Sequence, residues 1–437
     1  MLRQALAVLV LSIPAFAQYA GPAILSRGEA PSAMGEPQIT FRPYVDFNAI
    51  YDTGLAGVAT DQQGNLANTS STGVQIAGGV SGAHSWRHTR IGLDYHGSVY
   101  HYFKQTYYDS TNHSLLLDIT HQFSRHVSLT LRETGGMFSR DYGLLGLSQA
   151  VAYDPSQTSI PTTDYFDNRT MFLDSQADLT FQKSARLSFS LGGGGSLIRY
   201  RSTALYGANE ATARADMQYR VTHRTTIGAN YTFSRFAFPV VLSQTDIHGA
   251  VFSYSTRLSR WVEFSGYGGV MRVESKFIQS VPVDPAITAL LGITSGTQLT
   301  YHVNYLPSVR ARLSRAFQKG VAYAEGTRTV TPGNGLFLTS SMTTAAAGYT
   351  YTGIRHWSFD IQAGYDQSKS LMNFVGEYRD YRGGFQLSHQ ITGAFHAIVG
   401  VTARQYDSSS FANYNRLIYD ARVGFGFSPG DVPVRIW

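Results

Sequence analysis

From Glu210 to Val221 polar and apolar residues alternate without a break. Ala211, Ala213, Ala215, Met217, Tyr219 and Val221 fall on one set of positions. Glu210, Thr212, Arg214, Asp216, Gln218 and Arg220 fall on the other. An extended chain points successive side chains to opposite faces, so this period predicts a strand with one greasy face and one charged face. Thr222-His223-Arg224 interrupts the run, and the alternation resumes with Thr225, Ile227, Ala229, Tyr231 and Phe233. The unit is a long antiparallel hairpin with a tight turn. Its greasy face either packs on a second sheet or touches lipid, and the rest of the chain decides which.

The same period recurs from Ile39 to Phe427. Ile91, Leu93 and Tyr95 share a face, as do Leu115, Leu117 and Ile119, and Val127, Leu129 and Leu131. Late in the chain Phe395, Ala397, Val399 and Val401 do so, then Leu417, Tyr419, Ala421, Val423, Phe425 and Phe427. The chain is read as all-β with about 18 strands; 16 is the alternative, because Pro43 and the glycine-rich stretch Val74–Val80 blur the start.

Connections are of two kinds, and they take turns. Short polar ones are Ser124-Arg125-His126, Lys183-Ser184, Thr222–Arg224, Ser259-Arg260, Arg315–Lys319, Gly353–His356 and His389–Gly393. Longer ones are Gly54–Ser71, Arg140–Asp167 and Glu274–Gln298. A soluble sandwich predicts strands of about five or six residues and no sided pattern of loops. Strands of about ten or more cross a tilted bilayer. Phe123, Phe181, Tyr219, Trp261 and Trp357 stand beside the short turns, where an interfacial girdle belongs. The pattern therefore predicts a single transmembrane antiparallel β-barrel, closed so that no strand edge is left open to lipid.

Residues 1–17 read as a secretory signal peptide, with Arg3 at the positive start, Ala5–Leu11 as the apolar centre and Ala15-Phe16-Ala17 as the cleavage site. Residues 18–38 read as a leader on the periplasmic side, 39–427 as the barrel and 428–437 as a C-terminal tail. Outside the signal there is no run of about 18 apolar residues, so no transmembrane helix is expected. The chain has no cysteine, which excludes thiol nucleophiles, Cys-ligated zinc and iron–sulfur centres. Its 43 Gly, 28 Tyr and 25 Phe lean towards sheet and turn. A net charge of +6 is too dilute for a nucleic-acid-binding surface.

Over Ile39–Phe427 the chain resembles the bacterial outer-membrane β-barrel proteins, porins included. Arg422-Val423-Gly424-Phe425-Gly426-Phe427 looks like the closing strand of that family, a glycine with alternating aromatics that the barrel-assembly machinery reads. The family ends at that aromatic, whereas here the tail runs on to Ile436-Trp437. The resemblance implies a bacterial outer-membrane location. It also implies contact with outer-membrane lipid and lipopolysaccharide.

No enzyme motif stands out: H-E-x-x-H, G-x-S-x-G and G-x-x-x-x-G-K-[ST] are all missing. A dispersed hydrolase or acyltransferase site is the residual enzyme reading, and no cofactor or metal is expected. Gly192–Gly195 has no following helix to turn it into a phosphate loop. His121, His126, His223 and His356 sit near short turns; His96 and His396 fall in the polar phase.

Charges in the polar phase carry the functional expectation. Early strands contribute Asp46, Asp94, Asp118, Asp174 and Asp178, with Arg42, Arg132 and Arg186 as exceptions. Arg214 and Arg220 lie at the middle of the chain, on either side of Asp216. Late strands contribute Arg310, Arg312, Arg382, Arg404, Arg416 and Arg422, with Asp360, Asp366 and Asp420 as exceptions. A charge facing lipid near mid-membrane costs about 2–4 kcal/mol, so these residues are expected to line the lumen. They form either a salt-bridge lattice that fills it or the wall of an aqueous pore, with an acidic side and a basic side. The Leu144, Leu145 and Leu147 loop, and a short helix over Ala286–Leu291 capped by Asp284-Pro285, are candidates to narrow the mouth. Porin-like passage of small hydrophilic solutes is the expected function. An exopolysaccharide export barrel and a structural or adhesive barrel with a plugged lumen are the alternatives. The sequence leaves the oligomeric state unknown.

Overall fold

The computed structural model describes residues 39–60, 66–139, 169–203, 205–282, 292, 294–333, 335, 338–371, 376–408, 415–429 and 432–434. The signal, the leader, the Arg140–Asp167 loop, the Asp284–Leu291 segment and the terminal Ile436-Trp437 lie outside these residues. The first nine strands are β1 Ile39–Thr60, β2 Leu66–Ser85, β3 Thr89–Tyr102, β4 Ser110–Gln122, β5 Val127–Phe138, β6 Thr170–Gln182, β7 Leu187–Tyr200, β8 Ala208–Arg220 and β9 Thr225–Phe238. They are followed by β10 Ser243–Arg257, β11 Val262–Pro282, β12 Ser295–Phe317, β13 Gly320–Thr331, β14 Ser340–Tyr351, β15 Trp357–Ser370, β16 Glu377–Gln390, β17 Phe395–Ser408 and β18 Arg416–Phe427. Each pairs antiparallel with its sequence neighbour, and β18 pairs with β1 from Val45↔Phe427 to Asp52↔Asp420, so 18 strands close one barrel. A single turn of 3-10 helix, Thr106–Tyr108, joins β3 to β4.

The two faces follow the period-two reading. On β8, Ala211, Ala213, Ala215, Met217 and Tyr219 are exposed, while Thr212, Arg214 and Asp216 between them are half-buried. The exposed set around the barrel is apolar: Phe47, Ile76, Leu115, Leu131, Leu173, Leu191, Phe252, Ile361, Val401 and Val423 all belong to it. A closed sheet that turns its apolar side chains outward and its polar ones inward inverts a soluble fold. Lipid is the solvent that favours this. Glu133 is an exception to the outward pattern. It stands near the middle of β5, exposed, in register with outward Leu117 and Ser175, and Ser175 donates a 2.5 Å hydrogen bond to its Oε2.

Hydroxyl chemistry sets several of the short turns. Ser124, Ser184, Thr222 and Ser259 each accept the backbone N–H two residues on, at 3.1–3.2 Å, from His126, Arg186, Arg224 and Trp261. Such a hydroxyl does for a tight loop what a ladder partner does for a strand. One further turn, Trp86–His88 between β2 and β3, belongs to the same rim and is missing from the sequence-based set. At that rim Phe123, Phe181, Tyr219, Trp261 and Trp357 are all exposed, as the girdle requires.

Two expected loops are largely strand. In place of a Gly54–Ser71 loop, β1 runs on to Thr60 and β2 starts at Leu66, with register shifts between Asp52 and Leu55 and between Ala56 and Thr60. In place of a Glu274–Gln298 loop, β11 and β12 continue for 21 and 23 residues and stay paired out to Pro282↔Ser295. A ladder that leaves the membrane keeps its hydrogen bonds, so polar composition alone does not end a strand. The tail also pairs: β19, Val432–Val434, lies antiparallel to Ile39–Phe41 of β1 and lengthens the seam below β18.

Candidate functional site

The inner wall of the barrel is the candidate site. Every candidate from Asp46 to Arg422 lies on the inward phase of its strand. Asp46, Asp94, Arg404 and Arg416 are buried, and Asp118, Asp174, Asp178, Arg214, Arg220, Arg310, Arg312, Arg382 and Arg422 are half-buried.

Three inward glycines decide how the arginines lie. In the ladder Asp178↔Gly192↔Arg214, which crosses β6, β7 and β8, the central position has no side chain. Arg214 therefore lies flat over β7, and its Nε donates to Asp178 Oδ1 at 2.7 Å. A Cβ at position 192 would stand 2.7 Å from Arg214 Nε. The same arrangement recurs in Gln386↔Gly400↔Arg422 across β16, β17 and β18, where Arg422 Nη2 donates to Gln386 Oε1 at 3.1 Å. A Cβ at position 400 would stand 2.7 Å from Arg422 Nε, and one at Gly364 would stand 2.6 Å from Arg382 Nε. Arg382, Gly364, Gln362 and Tyr323 line a shallow hollow of this wall. Gly192 is thus neither a phosphate-loop residue nor a bend; it is the floor under a guanidinium.

Other charges pair along the wall. Arg132 Nη2 is 3.1 Å from Asp118 Oδ2 on the neighbouring strand. Arg310 and Arg312 share Glu325 of β13, at 2.7 and 3.3 Å. Arg382 Nη2 stands 2.8 Å from Asp366 Oδ2, and Arg404 Nη2 2.8 Å from the fully buried Asp380 Oδ2. The late wall is therefore less basic than its count of arginines suggests: Arg310, Arg312, Arg382 and Arg404 each have a carboxylate within reach on an adjacent strand. Inward charges in a low-dielectric wall are held there by such partners. Glu325 and Asp380 were missed. Counting by two from Arg382 would have reached Asp380, and only register puts Glu325 opposite Arg312.

At the seam, Asp52 and Asp420 stand directly opposite one another, and the Tyr102 hydroxyl donates to Asp52 Oδ2 at 3.1 Å. Towards the short-turn end of β1 and β3, Asp94, His96 and Tyr44 form a chain: His96 Nε2 is 2.8 Å from Asp94 Oδ1, and His96 Nδ1 is 2.7 Å from the Tyr44 hydroxyl. Asp174 accepts from Gln176 at 2.9 Å. Arg416 and Arg404 both lie against the Tyr406 ring, at 5.8 and 4.9 Å. Among the described residues no group of three or more His, Asp or Glu is arranged to hold a metal ion.

No protein-family model matches the chain, and no curated protein matches it. Solved structures with a similar course of chain are outer-membrane proteins. Pseudomonas aeruginosa OccK5 (OpdH) is 13% identical, with 90% of this chain and 98% of that one covered and a TM-score of 0.39. P. aeruginosa OccK2 (OpdF) in complex with glucuronate is 10% identical, with 89% and 98% covered and a TM-score of 0.42. The copper transporter OprC is 10% identical, with 90% and 67% covered and a TM-score of 0.44. Likeness at this level carries no argument about function; the faces of the barrel do carry one about its surroundings. An apolar exterior, a charged interior, an aromatic girdle at the short-turn rim and complete closure leave one setting in which this chain is stable. The chain is a closed transmembrane β-barrel of 18 strands, the architecture of the bacterial outer-membrane barrels it resembles.

Proposed function

We propose that the barrel is a channel for small hydrophilic solutes, passing them along a charged inner wall. The observation that carries this reading is the way the inward arginines lie. Arg214, Arg382 and Arg422 are laid flat over Gly192, Gly364 and Gly400, and their partners sit on the wall itself. Long cations held against the sheet leave the axis of the barrel to water. A lattice that filled the lumen would instead send them across it. The walls then offer hydrogen-bond donors and acceptors to a passing solute without closing the path. Pairing of most arginines with carboxylates implies weak charge selectivity, with a slight preference for anions from Arg422, whose partner Gln386 is neutral. Outward Phe425 and Phe427, 62% and 41% exposed, are the residues that assembly machinery would read.

Planar-bilayer recording of the purified, folded chain tests the reading. Stepwise, ohmic conductance is the expected result. A folded barrel that inserts and carries no current would sink the channel in favour of a plugged, structural barrel.

A further inference from the structure

The outer face of β9–β12 changes character abruptly towards the rim of long connections. One row, Tyr231–Ala250–Val270–Pro307, is largely apolar. The next is Phe233–His248–Arg272–Tyr305, and above it stands Arg235–Asp246–Glu274–Val303. The next, the last to span all four strands, is Ala237–Gln244–Lys276–Tyr301, beyond which β11 and β12 carry the exposed pair Ile278–Leu299. These are lipid-phase positions, so three cations lie on the outside of the barrel where the apolar band stops. That rim faces the cell exterior in barrels of this type.

The ion pairs here are lopsided. Arg235 is half exposed, at 50%, while Asp246 beneath it is at 13%; Arg272 is at 46% and Glu274 at 17%. Both carboxylates are also held by a side chain of the next row up. Asp246 accepts from Arg235 Nε at 2.7 Å and from Gln244 Nε2 at 3.1–3.2 Å. Glu274 accepts from the Tyr301 hydroxyl at 2.5 Å. Each acid fixes one edge of its guanidinium and leaves the rest facing outward, while Lys276 is exposed beside them. Three cations against two more deeply set acids make the surface offered to the surroundings cationic, and Tyr301 and Tyr305 flank it, 50% and 69% exposed. At the same rim across the barrel, Lys369, Glu377, Arg379 and Asp407 balance to zero, and no such excess exists.

We propose that this patch binds the phosphate-bearing headgroup of an outer-leaflet glycolipid. Arg235, Arg272 and Lys276 meet the phosphates, and the apolar row below meets the acyl chains. Fixed guanidinium forks suit phosphate oxygens, and basic side chains at a membrane surface gain from anionic headgroups. The site is independent of whether the lumen conducts.

Native mass spectrometry of the full chain in detergent tests it, with diphosphorylated lipid A, its dephosphorylated counterpart and inorganic phosphate as probes. The parent is expected to retain the diphosphorylated lipid and to hold the dephosphorylated one far more weakly. Combining Arg235→Gln, Arg272→Gln and Lys276→Gln should weaken retention by roughly 100-fold. Lys276→Gln alone, which leaves both ion pairs intact, should weaken it roughly fivefold. Lys369→Gln with Arg379→Gln should change nothing. Equal retention of the two lipids, retention of free phosphate as strong as that of the lipid, or a Lys276→Gln chain that binds like the parent would each overturn the site.

Discussion

Two parts of the inner wall use one device with different outcomes. Across β6–β8, Arg214 crosses Gly192 and ends on a carboxylate, Asp178; across β16–β18, Arg422 crosses Gly400 and ends on an amide, Gln386. The glycine recess is the same, with a would-be Cβ 2.7 Å from the arginine Nε in both. The partner differs. One arginine is neutralised where it lies, and the other keeps its charge for the lumen, shared only loosely with the acids of the seam. Backbone shape thus fixes where a guanidinium lies, and one side chain two strands away fixes how much field it adds to the path.

The largest expected effect separates the two partners by stability. Asp178→Asn removes the charge facing an Arg214 side chain that is only 7% exposed, and should cost about 2–3 kcal/mol, the lower side of what breaking a buried pair costs. Gln386→Leu removes one hydrogen bond to a charged group and should cost about 1.5 kcal/mol. Denaturant unfolding of the lipid-embedded barrel measures both. Equal costs would mean that Arg214 and Arg422 are solvated alike and that the comparison is empty.

A second effect is electrical. Removing the whole pair, Asp178→Asn with Arg214→Gln, should leave the reversal potential in a salt gradient where it was. Arg422→Gln should move it towards cations at about 0.1 M salt, and the shift should shrink at about 1 M, where screening falls to roughly 3 Å. Arg404→Gln is the poorer probe, since it also takes a charged partner from the fully buried Asp380. A shift from the pair removal as large as that from Arg422→Gln would place the neutralised arginine, too, in the conducting path.

The smallest effect sharpens the contrast from the other side of the sheet. Glu133 is a charged group on the lipid-facing side, where Ser175 donates to it from the neighbouring strand. Glu133→Leu should change stability in a bilayer by less than about 1 kcal/mol, towards the more stable, because a lipid-facing carboxylate is only mildly costly and one hydrogen bond offsets part of that cost. A marked loss on the same change would mean that Glu133 has a partner in the membrane.

Period-two alternation determined the architecture. It fixed which side chains face lipid and which face inward, narrowed the strand count to about 18, and marked most of the rim of short turns, because side-chain direction in a strand is a local property of the backbone. Ser124, Ser184, Thr222 and Ser259 marked turns for the same reason: their hydroxyls act within two residues. What no local rule contains is the register between strands. Register set Gly192 between Asp178 and Arg214, gave Arg312 its Glu325, opposed Asp52 to Asp420 at the seam, and drew Val432–Val434 back along β1. It also set Arg235 of β9 level with Arg272 and Lys276 of β11, across β10, in one outward patch. Those pairings depend on closure and stagger of the whole sheet, which is why the walls were legible in the sequence and their partners were not.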